Sequence, residues 1–153
     1  MKTAIALLLL TLPATSAGSA YNYCQSSPNS FGTAATIGYT GSLAVADGTF
    51  QLTVTGCPPN AGSYGMFTCG QAQYAVPFGA GTLCIRPFNP GINRMPLQGL
   101  VPGVISRDVL LDAGAAAMFQ PGSSWNFQFW YRDPNAGGTR FNLSDGLHVD
   151  FAL

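Results

Sequence analysis

His148 is the only histidine in the chain, and Asp150 follows it two positions later. Imidazole is the side chain that titrates near neutrality, and alternate positions on a strand share a face. The pair is therefore the first place to look for acid–base chemistry. Nucleophilic or zinc hydrolysis would need further parts, and the chain has no Gly-x-Ser-x-Gly, no His-Glu-x-x-His and no second histidine. A surface histidine on the last strand is the stronger reading. Glutamate is absent, so a glycosidase would have to rely on two aspartates. Asp133 and Asp145 flank one loop, but Asp133-Pro134-Asn135 and Ser144-Asp145-Gly146 read first as turn starters whose carboxylates cap backbone amides. The same oxygens suit a hard cation, with Asp133, Asn135, Asn142 and Asp145 as calcium candidates, although their spacing matches no strict loop motif. No other cofactor is expected.

A binding surface is a second kind of chemistry. In Trp125-Asn126-Phe127-Gln128-Phe129-Trp130-Tyr131-Arg132 the odd positions are all apolar or aromatic, while the even ones are Asn, Gln, Trp and Arg. That alternation predicts a strand with one core face. In Leu147 to Leu153 the odd positions are again apolar, which makes this segment the antiparallel neighbour and the C-terminal residues structural. The opposite face would carry Asn126, Gln128, Trp130 and Arg132 beside His148 and Asp150. One aromatic among hydrogen-bonding groups can stack a sugar ring. The competing reading has Trp130 covered by a loop and Arg132 paired with Asp150 or Asp145.

The elements that must hold these residues are β throughout. Short runs rich in Val, Ile, Thr, Phe and Tyr recur between Gly, Pro and Asn clusters. They place strands near 33–39, 41–46, 49–56, 63–69, 72–78, 82–88, 103–111, 123–132 and 146–153, with at most one helical turn at 112–118. Segment 87–103 holds four prolines and three glycines, too many breakers for a central strand, so it is an ordered loop or an edge. The expected fold is all-β, an antiparallel β-sandwich of jelly-roll or immunoglobulin-like type.

The chain has 153 residues, 8% of them charged, with zero formal net charge. Nucleic acid, which needs clustered Lys and Arg, is excluded as a partner. Met1-Lys2, the apolar run Ala4 to Leu12 and the small residues up to Ala20 read as a secretory signal cleaved after Ala17 or Ala20. With the cut after Ala20, residues 21–153 form a single domain. The apolar run is too short for the roughly 20 residues of a membrane span, and the protein is expected outside the cell or at its surface. In that oxidising setting Cys24, Cys57, Cys69 and Cys84 predict two disulfides. Cys57 and Cys69 bracket a turn-rich stretch and would pair across a hairpin, leaving Cys24 for Cys84, with the other pairings open. Without Lys, the mature surface lacks the charged residues that discourage edge-to-edge association. Either the Pro-rich segment 87–103 covers an edge, or the protein associates.

The string Phe127-Gln128-Phe129-Trp130-Tyr131-Arg132-Asp133, followed by Asn142-Leu143-Ser144-Asp145-Gly146, resembles the ending of an uncharacterised group of secreted bacterial β-sandwich proteins and C-terminal domains. Pro28-Asn29-Ser30, Pro58-Pro59-Asn60 and Gly81-x-Leu83-Cys84 are similar to the same group. The Cys57/Cys69 pair and Leu143, where the group tends to have Phe, depart from it. The resemblance implies an extracellular β-domain and carries no activity. It also makes the sequon Asn142-Leu143-Ser144 a coincidence of sequence. The function expected is a non-catalytic structural, surface or self-associating module. The alternatives are a lectin-like carbohydrate-binding module centred on Trp130 and a small secreted hydrolase.

Overall fold

The computed structural model describes residues 16–59, 63–111, 114 and 117–153. Residues 1–15 of the expected leader and most of the expected turn at 112–118 lie outside them. Eleven strands run in order: β1 (Ser19–Tyr23), β2 (Thr36–Thr40), β3 (Gln51–Thr55), β4 (Tyr64–Gly70), β5 (Gln73–Phe78), β6 (Gly81–Ile85), β7 (Asn93–Arg94), β8 (Gln98–Gly99), β9 (Ile105–Asp108), β10 (Ser124–Arg132) and β11 (Phe141–Asp150). All pairings between them are antiparallel. The large sheet has the order β1-β11-β10-β4-β7, with β8 also on β4. A second sheet is β2-β3-β9, and β5-β6 stands as a separate hairpin.

The period-two pattern of β10 and β11 dictates what the large sheet buries. Phe127, Phe129 and Tyr131 on β10, with Leu147 and Val149 on β11, join Phe67 of β4 in one core with Ile37, Leu52, Val54 and Ile105 of the β2-β3-β9 sheet. Phe50, Phe119, Phe127 and Phe151 meet there with ring centroids 5.1–5.9 Å apart. The opposite face of β10 lies under the β5-β6 hairpin, whose Thr82 and Cys84 backbone groups bond the Gln128 side chain.

Three expectations change. The strand expected at 41–46 is a 3₁₀ turn at Val45–Asp47, because Gly41 and Gly48 take φ of 85° and 64° and turn the chain at either side. Segment 87–103 does cover an edge. It places β7 and β8 on β4, and Met95 and Leu100 donate their N–H groups to the Phe67 and Ser63 carbonyls. The first strand, β1, was hidden because Ser19 and Ala20 read as leader.

One disulfide joins Cys24 to Cys84, as expected. The expected Cys57–Cys69 bridge is corrected: both are free thiols. The hairpin that would have faced them does not form. β3 pairs with β2 and β9, whereas β4 pairs with β10, so the stretch between the cysteines crosses from one sheet to the other. Cys57 then lines a cavity with Phe31, Thr55 and Val104, and Cys69 lines a separate one with Met95 and Met118. Burial pushes each thiol up to about 12.

Candidate functional site

The face read as a flat polar platform is divided in two. At one end Asn126 and Gln128 are buried. Gln128 accepts from the Cys84 N–H at 3.0 Å and donates to the Thr82 and Ser144 carbonyls, each at 2.8 Å. Asn126 donates to the Gly70 carbonyl at 3.3 Å. Both amides are thus committed to joining strands.

His148 and Asp150 do come together. The His148 Nε2 lies 3.1 Å from Asp150 Oδ1, and its Nδ1 lies 2.9 Å from Asn126 Oδ1. The Tyr21 ring packs on the imidazole at 4.8 Å. Ser124 and Ser19 donate to Asp150 at 2.6 and 2.8 Å. These two hydroxyls, with His148 after them, hold the Asp150 carboxyl below the usual carboxylate range. A nucleophilic triad needs serine bonded to imidazole and imidazole to carboxylate. Here both hydroxyls bond the carboxylate, and both imidazole nitrogens already have partners. Ser19, Tyr21 and Ser124 were missed from sequence. Ser124 shares the parity of Asn126, which was the available signal.

The calcium candidates diverge. Asp133 is buried and accepts from the Ser30 N–H at 2.7 Å and from the Ser30 hydroxyl. Asp145 accepts from the Ile37 N–H at 2.8 Å and from Asn22 at 2.9 Å. Burial raises its carboxyl above the ordinary 3.8, with the Ile37 and Asn22 bonds opposing. Asn142 donates to the Ser27 and Pro28 carbonyls, and Asn135 is exposed on the turn. Among the described residues no three His, Cys, Asp or Glu side chains gather to hold a metal ion.

A β-bulge explains the position of Asp145. The register jumps from Gln128↔Gly146 to Trp130↔Leu143, so Ser144 and Asp145 together oppose Phe129. The Ser144 hydroxyl accepts the Phe129 N–H at 3.0 Å, and Asp145 turns toward β2. The bulge also puts Leu143 on the Trp130 side of the sheet.

Trp130 occupies the other end of the face, half-buried. It packs between Tyr64 at 6.1 Å and Phe141 at 5.6 Å, and Phe141 meets Phe78 at 5.2 Å. With Met66, Thr68, Leu83, Ile92, Arg94 and Leu143 it lines a groove of about 170 Å³. Arg132 pairs across the ladder with Phe141, while Asp150 lies opposite Ser124 at the far end. The expected Arg132–Asp150 and Arg132–Asp145 pairs are therefore corrected: Asp150 is out of reach and Asp145 faces β2.

No protein-family model matches the chain, and no curated protein and no solved structure matches it.

Proposed function

We propose that the chain is an exported β-sandwich module of the secreted bacterial type it resembles, acting outside the cell or at its surface without catalysis, in a structural or self-associating role. One observation carries this reading. The polar residues that stood out in sequence, Asn126, Gln128, Asp133, Asn142, Ser144 and Asp145, are each bonded to backbone of another segment, so the pattern encodes assembly of the fold. The Cys24–Cys84 bridge supports an oxidising compartment. Among the described residues no helix is long and apolar enough to cross a membrane. The engaged His148 nitrogens weigh against the hydrolase alternative.

Self-association is favoured by Phe31, Val101 and Val104, each more than half exposed; Phe31 and Val104 also line the Cys57 cavity. Sedimentation velocity across a concentration series should show oligomers that Val104→Asp dissociates. A monomer at every concentration overturns the associating role.

A glycan-binding reading has its own support in the aromatic row Tyr64–Trp130–Phe141–Phe78, of which Trp130 and Phe78 line the groove. A glycan array read with the wild type and Trp130→Ala tests it: a hit lost in the variant favours this reading, and the absence of any hit removes it.

A further inference from the structure

We propose that the leader is removed between Ala17 and Gly18, which deepens the export reading and rests on it. Sequence alone left two positions, since small residues precede both Gly18 and Tyr21. The fold separates them. β1 begins at Ser19, and its ladder on β11 pairs Ser19 with Asp150 and Ala20 with Val149. The Ser19 hydroxyl donates to Asp150 at 2.8 Å, one of the two hydroxyl bonds that hold that carboxylate beside His148. A cut after Ala20 would remove Ser19 and the first two rungs of the ladder. It would also take away the partly buried Ala20, which packs against the core.

Gly18 belongs to the folded body as well. A Cβ built on it would lie 2.6 Å from the Asp150 carbonyl oxygen, 2.7 Å from the Leu43 Cβ and 2.9 Å from the Ala152 N. The backbone at 18 is therefore seated against the β11 end and Leu43, where only a glycine fits. Ser16 and Ala17 are exposed. Among the described residues upstream of the cut, the one backbone tie, from the Leu153 N–H to the Ser16 carbonyl, is long at 3.3 Å. From Gly18 onward the chain is seated in the ladder and against its flank, which puts the cut at the Ala17–Gly18 bond. The step is hydrolysis by a signal peptidase: water adds across that peptide bond, Ala17 leaves with the new carboxylate and Gly18 keeps the new α-ammonium.

The test is expression of the full chain from Met1 in an exporting bacterial host, followed by intact-mass measurement and N-terminal sequencing of the released protein. A chain starting at Gly18 is expected. A chain starting at Tyr21 overturns the assignment while leaving export intact. A chain still carrying the leader overturns the export reading itself. Ser19→Ala in the same precursor gives a second readout. It should lower the Tm of the released protein by a few degrees. A lowered Tm supports the assignment, because a residue cut away with the leader has no effect on the product; the N-terminal residue decides it.

Discussion

Burial lifts the Asp145 carboxyl above 3.8, and the sign of the resulting pH dependence follows. The folded chain holds the proton more tightly than the unfolded one, so stability falls as pH rises from 3.8 through the raised value and recovers as pH drops back. An asparagine there does not titrate. It keeps an oxygen for the Ile37 N–H but turns an amide toward the Asn22 amide, and should cost about 1 kcal/mol at pH 7. Urea unfolding at pH 7 and pH 4 should show the gap between wild type and Asp145→Asn widening in acid; a constant gap contradicts the burial argument. The Asp150 shift has the opposite sign, its contribution being lost as pH falls through the depressed value, but it is common to both proteins and cancels. The free cysteines give a second residue-scale expectation. Denatured, unreduced protein should titrate two thiols with a chromogenic disulfide reagent, and native protein should react slowly because both are shielded and their pKa is near 12. Zero thiols after denaturation would restore the second bridge. Side-chain roles were the least legible level. Residues such as Gln128 and Asp145 announce themselves as polar and patterned, but sequence does not say whether a polar side chain meets solvent or a carbonyl of a distant segment.

The β5-β6 hairpin is attached by its bonds to Gln128 and by the bridge at Cys84. Replacing Gln128 with leucine leaves the Cys84 N–H and the Thr82 and Ser144 carbonyls without partners beneath the hairpin. It should cost at least about 3 kcal/mol, at roughly 1–3 kcal/mol for each of the three buried groups left unsatisfied. Chemical unfolding measures this, and a cost below about 1 kcal/mol would mean the hairpin is held otherwise. Elements were much more legible than contacts. Parity alone placed the core faces of β10 and of β11 beyond Gly146. It did not reach the first half of β11, which the expected strand at 146–153 left out and where the bulge at Ser144-Asp145 inverts parity, and bulges have no period to detect. It also gave β10 two faces but left open whether the more polar one is covered, and the β5-β6 hairpin covers it at Gln128. Alternation records that a face is more polar, and the Asn126 and Gln128 amides satisfy that pattern under a hairpin as well as under water.

At the scale of the molecule, the Cys24–Cys84 bridge spans a sequence separation of 60. In the chain-entropy account such a closure stabilises by about 4 kcal/mol. The double variant Cys24→Ala/Cys84→Ala should unfold at correspondingly lower urea, and equal midpoints would mean the open chain is already restrained. Two sheet edges are partly covered. β7 and β8 occupy the flank of β4, and the Asp145 carboxylate takes the Ile37 N–H on the β2 edge, donors that a neighbouring chain would otherwise use. The composition, poor in charge and without Lys past the leader, had left open whether edges were covered or shared, and sequence could not decide because edge status belongs to the topology. That topology sets a schedule for folding. The first strand closes on the last, with Ser19 bonded to Asp150 131 positions away, and β11 is the strand between β1 and β10. During synthesis the large sheet has no middle until its final segment emerges, and such long-range closure is slow. A polypeptide built this way completes its large sheet only after most of it has been made, which fits the export proposed above.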